Sequence, residues 1–172
     1  MRINIHYNLD EKSKNWAYSV NKKISNIMEN EIDFIRDNTI PHITLLMGEV
    51  DVSSIDKVKK IVSDFKSVCL NNGDGVEFDR PILKGNYIFV EVKENSQFKQ
   101  DCDNLLAKLD GFIVPHKFLI SNGNAPHITL GYVKDHELAE EFIKKIKTVP
   151  KSRLIDITIS ETGTHGTCVK EV

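Results

Sequence analysis

His42 and His127 stand in identical Pro-His-Ile-Thr-Leu segments, residues 41–45 and 126–130, offset by 127 − 42 = 85 positions in a chain of 172. A strand puts residues i and i+2 on one face. Each copy therefore presents its histidine with Thr44 or Thr129 to one side, and Ile43 with Leu45 or Ile128 with Leu130 to the other. Two such strands facing one another would gather two imidazoles and two hydroxyls around one pocket. An imidazole of ordinary pKa near 6.5 both takes and gives protons at neutral pH. The pair could serve as base for an attacking oxygen and acid for a leaving oxygen, each role worth roughly 10²–10⁴-fold in rate. The threonine hydroxyls could hydrogen-bond the non-bridging oxygens of a phosphodiester and take up charge as it grows in the transition state. This scheme needs neither metal nor cofactor, and no HExxH, P-loop or carboxylate cluster points to one.

The remaining histidines give contrast. His165-Gly166-Thr167 is a third H-x-T, but glycine replaces the apolar residue that would fix a strand, so a structural loop is expected, with reach of His165 to the cleft rim the lesser alternative. Pro115-His116 continues as Lys117-Phe118 without a hydroxyl and reads as an edge position, and His136 near a helix start reads as solvent-exposed. His6 shares the polar face of the first strand with Asn4 and Asn8; a solvated strand is the plainer reading, contact with substrate the alternative.

The elements that must hold these residues follow from periodicity. Residues 2–9 alternate polar and apolar as a half-buried strand. Asp10 can cap a helix bearing Trp16, Val20, Ile24 and Ile27 at helical spacing. The first motif strand ends near Gly48, and Ser53 or Ser54 starts a helix with Val58, Ile61, Val62, Phe65 and Val68 inward. Residues 71–75 form a turn. Residues 76–78 and 87–92 look like strands, Gly111 closes a helix from about Ser96, and residues 112–120 read as extended. A turn at 121–124 leads to the second motif, Asp135 caps another helix, and Ile155, Ile157 and Ile159 alternate in a late strand. The expected fold is α+β and bilobal, residues 1–172 forming one domain of two duplicated lobes. Helices would cover the sheets outside a central cleft that carries both H-x-T strands.

Composition is that of a globular chain, 40% hydrophobic and 28% charged. A net charge of −2 argues against tight non-specific binding of long nucleic acid, though not against a small phosphorylated substrate. Three widely spaced cysteines, Cys69, Cys102 and Cys168, suggest buried thiols in a reducing cytosol. With no secretory leader and no membrane-length apolar run, a cytoplasmic monomer is expected.

The two H-x-T motifs, each followed by an apolar residue, resemble the signature of the 2H phosphoesterase superfamily. Residues 42–50, His-Ile-Thr-Leu-Leu-Met-Gly-Glu-Val, resemble its first motif and the turn after it, and residues 126–131 its second. The resemblance implies a bilobal fold with a pseudo-two-fold axis through the cleft, catalytic His42 and His127, and phosphate-binding Thr44 and Thr129. Many members carry a basic residue where this chain has Tyr132, so phosphate gripping falls elsewhere or Tyr132 meets a base. Tyr7, Tyr87, Phe89 and Tyr132 could stack on bases, and Lys84 and Lys134 could meet phosphate, although core packing and solvation are the plainer fates. The implied substrate is a nucleotide, a cyclic (oligo)nucleotide or a short RNA with a 2′,3′-cyclic or 2′-5′ phosphate. A non-catalytic module that binds nucleotides or RNA ends is the alternative. Which histidine acts as base stays open.

Overall fold

The computed structural model describes residues 1–69, 75–94, 96–117 and 124–172, with the backbone alone at 67–69. The turns expected at 71–74 and 121–123, the end of the extended segment at 118–120 and the Val68 side chain lie outside the described residues.

Among the described residues, eight strands and four helices make a mixed α+β fold with two antiparallel sheets. Strand β1 (Arg2–Leu9) lies at the centre of the larger sheet, in the order β5-β2-β1-β7-β8, where β2 is His42–Val50, β5 Ile113–Pro115, β7 Leu154–Thr162 and β8 Cys168–Glu171. The smaller sheet, β3-β4-β6, is built from Ile82–Lys84, Tyr87–Glu91 and His127–Tyr132. Residues 76–78 contribute isolated bridges to Ser152 and Val92 rather than the strand expected there.

Helix α1 (Glu11–Ile27) begins where Asp10 Oδ1 accepts from Ser13 N at 2.9 Å, and α4 (His136–Lys144) where Asp135 Oδ1 accepts from Leu138 N at 3.0 Å. Both caps fill donors the first turn leaves orphaned. The buried stripe of α1 differs from expectation: Ser13, Ala17, Val20, Asn21 and Ile24 face inward, while Ile27 is 51% exposed. Asn21 explains the rotation. Its Nδ2 donates to Ile32 O (2.7 Å) and Leu130 O (2.8 Å), and its Oδ1 accepts from Phe34 N at 3.1 Å.

Each of the two sheets carries one H-x-T strand, as the two-lobed expectation has it, and the sequence halves exchange helices between them. Helix α1 follows β1 in the chain yet packs on β6, alongside α4, which also meets β3. Helix α3 (Ser96–Lys108) follows β4 yet packs on β2, next to α2 (Ile55–Cys69). The late strand β7 returns to flank β1, with β8 beyond it at the sheet edge. Ile43, Leu45, Ile128 and Leu130 are buried as the alternation predicts.

Each motif strand carries a bulge at the same place. Opposite β1, His6 pairs with Thr44 while Ile5 pairs with Leu46; opposite β4, Phe89 pairs with Thr129 while Ile88 pairs with Gly131. One extra residue, Leu45 or Leu130, is inserted in each strand and reverses the facing of the positions after it. Met47 and Tyr132, again 132 − 47 = 85 apart, thereby join the face of their histidines.

Candidate active site

Both motif histidines are held alike. His42 Nδ1 lies 2.8 Å from Ile40 O, and His127 Nδ1 lies 2.8 Å from Ala125 O. A backbone carbonyl only accepts, so Nδ1 carries the proton in each ring and Nε2 keeps its lone pair. Burial lowers the pKa of His42 to about 4, with the Ile40 carbonyl opposing and the charge of His127 adding to the fall. Burial also lowers that of His127, where the Ala125 carbonyl and Glu91 raise it and Lys84 lowers it further. Strands β2 and β6, which carry the two motifs, pack against one another.

The strand beside each motif differs sharply. On the first, Asn4, His6 and Asn8 of β1 stand opposite Met47, Thr44 and His42. Asn4 is fully buried; its Nδ2 lies 2.9 Å from Thr44 Oγ1, 3.2 Å from Gly166 O and 3.3 Å from His42 Nε2, and its Oδ1 has no partner. His6 is also fully buried, its ring 4.9 Å from that of His42 and its Nε2 3.0 Å from Ser160 Oγ. The solvated strand expected of His6 is therefore corrected, because β1 is central in its sheet and the adjacent β7 brings Ser160 and Thr158 hydroxyls to the ring. Burial, and after it the charge of His42, holds His6 far below the usual imidazole range. Cys168 Sγ lies 3.5 Å from His42 Nε2, and burial pushes its thiol pKa up, so it remains protonated.

On the second motif, Tyr87, Phe89 and Glu91 of β4 stand opposite Tyr132, Thr129 and His127. The Phe89 ring lies 4.0 Å from that of His127 and stacks with Tyr87 at 5.3 Å. Tyr87 meets Tyr132 edge-on at 4.8 Å. No hydrogen bond engages the Thr129 hydroxyl among the described residues.

His165, expected in a structural loop, reaches the aromatic row. Its backbone is left-handed (φ 58°), and its ring stacks on Tyr132 at 4.1 Å. Its nitrogens lie 3.1 Å from Glu31 Oε2 and 3.4 Å from Tyr87 Oη. The turn Thr164–Gly166 thus reaches neighbours of both motifs, Asn4 through Gly166 O on one side and Tyr132 through His165 on the other. Tyr132 Oη accepts from Asn86 Nδ2 at 3.0 Å, and exposed His136 holds Asn86 Oδ1 at 2.8 Å. Lys84 is largely exposed, 3.9 Å from Glu91, and Lys134 pairs with Glu31 at 2.7 Å. Sequence alone passed over Asn4, Cys168 and Gly166; the one available signal was an alternating polar face on β1. Among the described residues no three histidine, cysteine or acidic side chains are placed to hold a metal ion, and no helix there is long and apolar enough to cross a membrane.

Residues 22–160 match the family described as the 2′-5′ RNA ligase superfamily. A search of curated proteins gave no match. Among solved structures, the MHV ns2 PDE domain is similar with a TM-score of 0.58 at 8% identity, over 99% of this chain and 98% of that one. E. coli LigT complexed with phosphate is similar with a TM-score of 0.52 at 14% identity, over 99% and 93%. At these identities the likeness is one of fold.

Proposed function

Because this chain belongs to the 2′-5′ RNA ligase superfamily of 2H phosphoesterases, we propose that it is a metal-independent phosphodiesterase acting on a 2′-linked or cyclic phosphate of a nucleotide or short RNA. One observation carries the reading: two imidazoles, each clamped through Nδ1 to the carbonyl two residues upstream, keep Nε2 as the working nitrogen. One Nε2 takes the proton from the attacking oxygen, either water or a neighbouring ribose hydroxyl. The other imidazole, protonated, gives its proton to the departing ribose oxygen. Thr44 and Thr129 donate to the non-bridging oxygens, and the base packs near Tyr132 and Tyr87. The phosphate in the LigT structure and the PDE domain among the structural neighbours support a phosphodiester occupant.

Hydrolysis of a panel of 2′,3′-cyclic, 2′-5′ and cyclic-oligonucleotide substrates in EDTA tests this, alongside His42→Ala and His127→Ala. Turnover by the wild type that persists in chelator and is lost in both variants is expected. Activity that vanishes with chelator, or survives both substitutions, would overturn the mechanism. Binding without turnover would make the protein a recognition module.

A further inference from the structure

Nothing in the duplicated motif says which histidine is base, yet the surroundings of Asn4 are not duplicated. Gly166 O can only accept, so the group facing it is the Asn4 amide nitrogen and not its oxygen. Two hydrogens then serve three acceptors: Gly166 O, Thr44 Oγ1 and His42 Nε2. A proton on His42 Nε2 would point at an N–H of Asn4, two donors face to face. The contact therefore favours the lone pair on Nε2, which is the form a general base needs. Thr44 is biased too: its oxygen accepts from Asn4, which leaves its own hydrogen to be donated elsewhere. Asn4 is fully buried with its Oδ1 unpartnered, an arrangement that costs stability and suits a functional placement better than a packing one. Its counterpart beside the second motif is Tyr87, whose hydroxyl lies beside His165 Nδ1 rather than His127.

We infer that Asn4 is a positioning residue that holds His42 as the base and turns the Thr44 hydroxyl outward as a phosphate donor, leaving the acid role to His127. This rests on the phosphodiesterase reading above. The titratable groups facing His42 are His6 from β1, Cys168 from β8 and His127 from β6. Of these, Cys168 is the other donor within reach of Nε2, so Cys168→Ala serves as the control.

The test follows the His42 ring by NMR across pH in the wild type, Asn4→Ala, Asn4→Asp and Cys168→Ala, with kcat/KM profiles in parallel. In Asn4→Ala the His42 midpoint rises by about one pH unit, and the acid limb of kcat/KM rises with it while the alkaline limb stays. In Asn4→Asp both move further in the same direction, because a carboxylate accepts from the protonated ring. Cys168→Ala shifts them less than Asn4→Ala. An unmoved His42 midpoint in both Asn4 variants sinks the inference. The wild type guards against variants that fail to fold: its Asn4 side-chain amide signals should move with the His42 titration, and an amide silent through that titration also overturns it. Wild-type protein without phosphodiesterase activity would defeat the functional reading while the ring and amide titrations still report on Asn4.

Discussion

The two motif strands share a backbone but not a neighbour. Beside His42 and Thr44 run Asn4, His6 and Asn8; at the matching register beside His127 and Thr129 run Tyr87, Phe89 and Glu91. The frame is repeated down to the bulge after each H-x-T and the Nδ1 clamp on each ring. Duplication has thus kept what orients a histidine and changed what surrounds it. One ring works against donors and a second buried imidazole, the other against an aromatic face with charges at its edge. The proposed mechanism gives the two histidines different roles, and the partner strands are where their surroundings differ.

Removing either ring is the largest expected effect and the first way to break the comparison. His42→Ala and His127→Ala should each lower kcat/KM by about 10²–10⁴-fold, and the double variant should be little worse than either single one, since the two act as a unit. A substrate with a p-nitrophenolate leaving group sharpens the contrast, because such a group departs without an acid. His127→Ala should then recover most of the loss while His42→Ala stays impaired; equal recovery by both would mean the two environments assign no separate roles.

Acidity gives the next effect. Both rings are held below the ordinary 6.5, His42 at about 4. Activity requires one ring neutral and the other protonated. Below His42's pKa the base is lost, and above that of the second ring the acid is lost. The optimum of kcat/KM, which reports the free enzyme, should therefore lie below pH 6.5, and activity should fall as pH rises past neutrality. An anionic substrate favours imidazolium, so the optimum of kcat should lie at higher pH than that of kcat/KM. A kcat/KM optimum above pH 7.5 would contradict the burial of the pair.

Much of this site was readable from sequence because its parts are local. The two H-x-T strands, the Asp10 and Asp135 caps and the alternation that buries Ile43 and Ile128 depend on residues a few positions apart. What was not readable depends on long-range pairing. Asn4 becomes a partner of Thr44 only through the β1–β2 register and the bulge at Leu45. His165 looked like a chance motif because its role comes from a left-handed turn that carries it across to Tyr132. The exchange of α1 and α3 between sheets was hidden because an amphipathic stripe specifies that a face is buried, not which sheet buries it. Asn21 on α1 held the clue, as a polar residue inside a buried stripe that satisfies the outward carbonyl of edge strand β6.

The hydroxyls separate stability from chemistry at a smaller scale. Thr44→Val deprives the buried Asn4 amide of its nearest acceptor and should cost about 1 kcal/mol, whereas Thr129→Val breaks no hydrogen bond among the described residues and should leave the urea midpoint almost unchanged. Both should reduce kcat, since each loses a donor to phosphate. A larger stability loss at Thr129 would mean the two sites are wired the other way round.

Tyr132→Met gives the smallest effect and the most direct test of the duplication, because methionine is what the first motif carries at the matching position, Met47. The change removes the stack on His165 and the acceptor for Asn86 Nδ2. A ring pair of this kind contributes roughly 0.5–1.5 kcal/mol, and the side chain is only partly buried, so folding should weaken by about 1 kcal/mol. The strand, its bulge and the His127 clamp use backbone groups and Ala125 O, none of which the substitution touches. Proton transfer should therefore persist: kcat stays within about twofold of wild type while KM rises, as uniform binding to the base is lost. If kcat falls and KM holds instead, Tyr132 acts on the reacting atoms, and the aromatic strand is part of the chemistry rather than of substrate recognition.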